Sequence, residues 1–64
     1  MDTVKIGKYI AGKRKALGMT QAQVAEKLGM SDKSVSKWER GEGLPDVYIL
    51  AQIAQLYGIT VSNL

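Results

Sequence analysis

The 64-residue sequence contains neither cysteine nor histidine. Without cysteine the chain cannot form a disulfide, bind a metal through thiolates or use a thiol nucleophile, and without histidine it lacks the commonest general base. A chain of this length also buries only about 60% of its unfolded surface, which leaves no room for a deep substrate pocket. We therefore expect a protein that is not an enzyme, with no catalytic residue, metal, cofactor or small-molecule substrate.

Long apolar segments are also missing. No run approaches the roughly 20 apolar residues of a membrane span, and residues 1–18 lack the apolar block of a signal peptide. No stretch alternates between apolar and polar residues over a useful length, and the chain has no internal repeat or low-complexity segment. These features predict an all-α, cytoplasmic protein with no membrane partner.

The charge is basic but modest, at +3 with a pI near 9.4, and it permits an anionic partner without requiring one. Eight of the nine basic residues fall into two clusters along the chain. They are Lys5, Lys8, Lys13, Arg14 and Lys15 in the first, and Lys33, Lys37 and Arg40 in the second. Either cluster could simply be solvent-exposed charge. Whether the second cluster can bind an anionic partner depends on where the fold places it.

Residues 20–41 predict two short helices joined by a tight turn. Thr20 can cap the first helix, Ala25 leaves space where another backbone must come close, and Gly29 can end the helix in a left-handed conformation. Ser31 is placed to cap the second helix, which should run to about residue 39 or 40.

The second of these helices has two unlike sides. At about 100° per residue, Val35 and Trp38 share the side that should pack. The opposite arc is polar and mainly basic, and it comprises Asp32, Lys33, Ser36, Lys37 and Arg40. One face is therefore free to meet a partner.

Flanking helices complete the predicted domain. Over residues 4–17, apolar residues at a helical period place Leu17 in the core, although Lys13 interrupts the stripe and should extend its ammonium group to water. Gly7 and Gly12 cost this helix up to about 1 kcal/mol each. A further helix is predicted over 46–57, and a short turn over 61–64. The core face of the helix over 46–57 should comprise Val47, Leu50, Ile53, Ala54 and Tyr57.

Residues 20–41 resemble the helix-turn-helix of the phage-repressor, Cro and xenobiotic-response-element (XRE) regulator family. They have the pattern TQxxVAEKLGxSxxxVSKWERG, with Ala25, Gly29, Val35 and Trp38 at its key positions. The similarity continues through the first helix and through PDVYILAQIAQLYGITVSNL. It implies a lambda-repressor-like fold, a compact bundle of four to five short helices forming one domain over 1–64. It also implies sequence-specific binding of double-stranded DNA by a transcriptional regulator, which we expect to be a repressor.

The resemblance assigns roles to particular side chains. The residues expected to read base edges are Ser31, Asp32, Lys33 and Lys37, with Ser36 close by. Gln21 and Arg40 are expected on phosphates. In the family an arginine at the position of Arg14 pairs with a glutamate at that of Glu39, although a phosphate contact is a competing role for Arg14.

Family members usually bind as twofold dimers on palindromic operators, so we expect a homodimer at least on DNA. The implied dimer surface lies near the end of the helix over 46–57, and its candidates are Tyr48, Ile49, Leu56 or Tyr57, with Val61 and Leu64. These residues could equally belong to the core or cover a C-terminal domain, if the chain is the N-terminal part of a longer regulator. The main alternative function is an antitoxin-type or other protein-interaction module of the same fold.

Overall fold

The computed structural model describes residues 2–59, and within that range it contains four α-helices and no β-strand. They are α1 (Thr3–Ala16), α2 (Gln21–Leu28), α3 (Asp32–Glu39) and α4 (Val47–Tyr57). The predicted all-α class is therefore confirmed. None of these helices is both long enough and apolar enough to cross a membrane. The short turn predicted at 61–64 lies outside the described residues.

Each helix begins at a polar side chain that accepts a hydrogen bond from the first turn. The four caps are Asp2, Thr20, Ser31 and Asp46. At α2 the bonds are reciprocal, because Thr20 Oγ1 accepts the Gln23 N–H at 3.1 Å and Gln23 Oε1 accepts the Thr20 N–H at 2.8 Å. The caps predicted at Thr20 and Ser31 are present, as is the left-handed Gly29 that ends α2.

A single apolar cluster receives side chains from all four helices. Its buried members are Ile6, Ile10, Val24, Ala25, Leu28, Val35, Trp38, Ile53 and Tyr57. Val24 and Leu28 come from one stripe of α2, and Val35 and Trp38 from one stripe of α3, as the helical period predicts. Burial of these two stripes holds the helix-turn-helix unit against α1 and α4.

Three residues predicted to face the core are not buried there. They are Leu17, Val47 and the half-buried Leu50, whose neighbour Ile49 packs against the cluster. Leu17 is 52% exposed because α1 ends at Ala16, and Leu17 is the cap residue after the last helical turn. Val47 is 70% exposed because it is the first residue of α4, at the edge of the apolar stripe. Lys13 is half-buried, and its ammonium group lies 5.6 Å from the centre of the Tyr9 ring, a contact that the sequence pattern did not predict.

The glycines of α1 differ in what surrounds them. A Cβ on Gly7 would lie 2.4 Å from the carbonyl oxygen of Trp38 and 2.8 Å from that of Glu39, whereas a Cβ on Gly12 would meet nothing within 4 Å. Gly7 therefore permits the α1 backbone to approach the carbonyl end of α3. The stability lost through the low helix propensity of glycine is offset by this close packing. Helix propensity alone predicts the loss and gives no sign of this packing.

We expect alanine to have opposite effects at these two positions. Gly12→Ala should raise the free energy of unfolding by up to about 1 kcal/mol, because alanine has the higher helix propensity and space is available. Gly7→Ala should lower it by roughly 1 to 3 kcal/mol, because the added methyl group separates α1 from α3. Urea denaturation of both variants measures the difference, and two changes of the same sign would contradict the packing described here.

Candidate nucleic-acid interface

One side of helix α3 packs against the core, and the opposite side is largely exposed to solvent. Val35 is fully buried and Trp38 nearly so, and the helix packs against both α1 and α2. On the opposite arc Asp32, Lys33 and Lys37 are exposed, whereas Ser36 is half-buried. The polar arc predicted from the sequence is therefore presented to solvent by a helix whose position is fixed by its core residues.

At the start of α3, polar side chains already have structural partners. Ser31 Oγ accepts the Ser34 N–H at 3.2 Å, and the two hydroxyl oxygens lie 3.1 Å apart. Asp32 lies in the first turn, where a carboxylate is stabilised by the positive end of the helix. The exposed Asp32 carboxylate remains open to a partner, whereas Ser31 has part of its hydrogen-bonding capacity occupied by capping.

At the end of α3, two basic side chains turn toward the following loop. The Cε atom of Lys37 lies 3.4 Å from the position of a Cβ on Gly43, so its aliphatic chain runs along that loop. Arg40 Nε lies 3.3 Å from Glu42 Oε2, and both side chains are more than half exposed. Such an exposed pair contributes little stability, so a stronger anion can displace Glu42. Helical periodicity does not indicate contacts between the end of a helix and the loop after it, so the positions of Lys37 and Arg40 could not be predicted from the sequence.

Below this surface, Arg14 and Glu39 join α1 to α3. Arg14 Nε donates to Glu39 Oε2 at 2.7 Å and Nη2 donates to Oε1 at 3.0 Å, while Nη1 donates to the Met19 carbonyl at 2.8 Å. The side chains are only 12% and 6% exposed. The hydrogen bonds to Glu39 raise the pKa of Arg14 above its ordinary value. The ion pair implied by the family resemblance is thus confirmed, and the guanidinium group is directed inward.

Gln21 is tied to the same carboxylate. Its Nε2 donates to Glu39 Oε1 at 3.0 Å, which connects the first residue of α2 to the last residue of α3. Gln21 is half-buried, and a carboxamide keeps a second amide hydrogen and an acceptor oxygen. This bond was not predicted, because the two residues are 18 positions apart and belong to no common helical stripe.

The residues considered for a dimer surface separate into different environments. Tyr57 is a core residue and not part of an exposed patch, and Ile49 and Leu56 are partly buried against the same cluster. Tyr48 is 79% exposed, but it lies in the first turn of α4, far from the end of the helix where the surface was expected. Val61 and Leu64 lie outside the described residues.

Tyr57 also brings a buried hydroxyl group close to the Arg14–Glu39 pair. Within the part of the chain that the structure describes, this hydroxyl has no hydrogen-bond partner. Burial raises the pKa of Tyr57 to about 12, and the charge of Glu39 adds to the effect while that of Arg14 opposes it. Tyr57 therefore stays neutral at ordinary pH and contributes mainly through its ring.

Comparison with known proteins identifies relatives. A family model described as helix-turn-helix matches residues 10–64. The chain is 43% identical over 61 residues to the cryptic phage CTXphi transcriptional repressor RstR of Vibrio cholerae, covering 95% of this chain and 54% of that protein. It is 37% identical over 51 residues to the HTH-type transcriptional activator BcrR of Enterococcus faecalis, covering 80% of this chain and 25% of the activator. It thus spans about half of one relative and a quarter of the other.

A solved structure extends the likeness to three dimensions. The restriction-modification controller protein C.AhdI from Aeromonas hydrophila matches with a TM-score of 0.86 and 26% identity, covering 95% of this chain and 88% of that one. The four helices described above therefore have the same arrangement in a protein that carries little more than this domain.

Removing the Tyr57 hydroxyl should change how stability depends on pH. Between about pH 10 and 12 an unfolded tyrosine ionises while folded Tyr57 keeps its proton, so rising pH favours unfolding by up to about 1.4 kcal/mol per pH unit. Below about pH 10 this contribution to stability is fully present. Tyr57→Phe should therefore be close to wild type near neutral pH and lose less stability at about pH 11. Denaturation of both proteins at the two pH values tests this; parallel losses would contradict it.

Proposed function

The chain belongs to the helix-turn-helix family, and we propose that it binds double-stranded DNA sequence-specifically, as the DNA-binding module of a transcriptional regulator. The observation that carries this proposal is α3, whose buried Val35 and Trp38 leave an exposed polar and basic arc on a fixed helix. Two of the curated relatives, compared above, are named a repressor and an activator. We favour repression, because the repressor is the more similar of the two.

The dimensions of α3 suit the major groove of DNA. That groove is about 12 Å wide and accepts one α-helix, and it is the groove in which all four base pairs present distinct patterns. Lys33 and Lys37 have the chemistry to donate to guanine O6 and N7, and Asp32 can accept from the cytosine amino group. Ser31 and Ser36 can donate or accept. Each well-formed base contact discriminates by roughly 1 to 3 kcal/mol.

Phosphate contacts are assigned to the ends of the helices. Gln21 lies at the start of α2, where backbone N–H groups and the helix dipole also favour an anion. Arg40 lies at the end of α3, and its exposed pairing with Glu42 offers little resistance to exchange for a phosphate. These contacts would place α3 in the groove without reading the sequence.

We further propose that two copies bind one palindromic operator, with half-sites about 34 Å apart. Among residues 2–59, three cationic side chains lie on or beside the exposed arc of α3, namely Lys33, Lys37 and Arg40. A single copy therefore has few phosphate and base contacts available, and two copies on one duplex would double them. Selection of bound duplexes from a random pool tests both proposals, since a palindromic consensus supports a dimer and failure to enrich any sequence opposes specific binding.

The salt dependence of binding distinguishes this function from a protein-interaction module. Neutralising Z phosphates gives a slope of about −0.9Z for the logarithm of affinity against the logarithm of salt concentration. A steep negative slope supports DNA as the partner. A partner bound mainly through apolar contacts would give a slope near zero.

Lysine and arginine on α3 should make different contributions to DNA binding. Lys33→Ala should relax the preference for one base pair, whereas Arg40→Ala should weaken binding to all duplexes and make the salt slope less steep by about 0.9. Lys27→Ala is the matched control, because Lys27 is an exposed lysine at the end of α2, away from the arc. Affinities for the selected duplex and its single-base variants measure these effects. Identical behaviour of Lys33→Ala and Arg40→Ala would contradict the division of roles.

A further inference from the structure

We infer that Glu39 is a positioning residue for DNA binding, because it holds the Gln21 carboxamide in place, and that Arg14 supports it by cancelling the Glu39 charge. This inference rests on the proposed function and extends it to the way the phosphate contact of Gln21 is prepared. Glu39 Oε1 accepts hydrogen bonds from Arg14 Nη2 and from Gln21 Nε2, each at 3.0 Å. The three side chains come from three different helices.

The bond to Glu39 restricts a side chain that would otherwise be mobile. A glutamine side chain has several rotatable bonds, and fixing it during DNA binding costs conformational entropy. Here one amide hydrogen of Gln21 is already bound by a carboxylate that is almost completely buried. Gln21 as a whole is half-buried, and its carboxamide retains a second amide hydrogen and an acceptor oxygen for a further partner. The Gln21 side chain therefore loses this conformational entropy when the protein folds, before DNA binds.

The ion pair explains why a carboxylate can lie at this place. An unpaired Glu39 near the start of α2 would repel a phosphate and oppose binding. Arg14 binds both carboxylate oxygens, at 2.7 and 3.0 Å, and these bonds raise the pKa of the guanidinium group so that it stays charged. The pair is close to neutral as a unit, and Glu39 acts toward Gln21 as a hydrogen-bond acceptor without adding net negative charge.

The same bond has a competing interpretation with the opposite consequence. If Glu39 holds Gln21 back from DNA, loss of the bond should strengthen binding. If Glu39 is only structural, its replacement should change stability and leave the contribution of Gln21 to affinity unchanged. The three cases differ in a double-mutant cycle between Gln21 and Glu39, measured on DNA affinity.

The cycle uses the full 64-residue chain and the duplex selected by the wild-type protein. The variants are Gln21→Ala, Glu39→Met and their combination, because methionine has a similar size and lacks an oxygen that could accept the bond from Gln21; each is checked by denaturation to be folded under the binding conditions. Because breaking a buried pair from one side is destabilising, Arg14→Met with Glu39→Met provides a second background, in which an apolar pair replaces the charges. Lys27→Ala again serves as a control outside the network.

In the wild-type background Gln21→Ala should weaken DNA binding about tenfold, the loss expected for one hydrogen bond to a charged group. In either Glu39 background the same change should cost less than about twofold, because the carboxamide is no longer held. Equal costs in all backgrounds, no effect of Gln21→Ala in the wild type, or tighter binding by the Glu39 variants would each overturn the inference. If the wild-type chain selects no duplex at all, the proposed function itself fails and the inference with it.

Discussion

The close packing of α1 on the carbonyl end of α3 is the contact on which the rest of the structure depends. Gly7 allows it, because any larger residue would collide with the carbonyl oxygens of Trp38 and Glu39. With the two backbones this close, Trp38 is enclosed by the core and Arg14 reaches Glu39 from the same helix that carries Gly7. A short eight-residue helix is marginal in isolation. Tertiary contacts therefore both stabilise helix α3 and fix its orientation. The position of its exposed face depends on how well its buried face is packed.

The Arg14–Glu39 pair contributes geometry more than net stability. Desolvating two charges offsets most of their attraction, so a buried pair is weak evidence of a stabilising interaction. What the pair does is connect α1, the Met19 carbonyl before α2 and the end of α3 through directional bonds. Apolar packing tolerates small shifts between helices, whereas a bidentate pair restricts them. A surface made from two helices benefits from such a restriction, because its residues must keep a fixed spacing.

Local signals in the sequence predicted local structure well, and contacts between helices poorly. Caps at Thr20 and Ser31, the stop at Gly29 and the burial of Val35 and Trp38 follow from rules that act within about one helical turn. Leu17 is exposed because α1 ends at Ala16, one residue before its predicted end. The requirement for Gly7 and the Gln21–Glu39 bond depend on which helices become neighbours, and periodicity identifies a face without identifying what covers it. The Arg14–Glu39 pair was anticipated only through family resemblance.

The charges around α3 are mixed, and this has a consequence for selectivity. Non-specific DNA binding comes almost entirely from attraction between basic side chains and phosphates. If the chain binds DNA as proposed, exposed Asp32 and the Glu42 partner of Arg40 would lower that attraction for every sequence, and the net charge of the whole chain is only +3. At a matching site, however, a carboxylate can accept a hydrogen bond from a base, which offsets the repulsion there alone. Acidic groups beside a basic arc therefore reduce overall affinity while increasing the difference between right and wrong sites, and that difference is what a regulator requires.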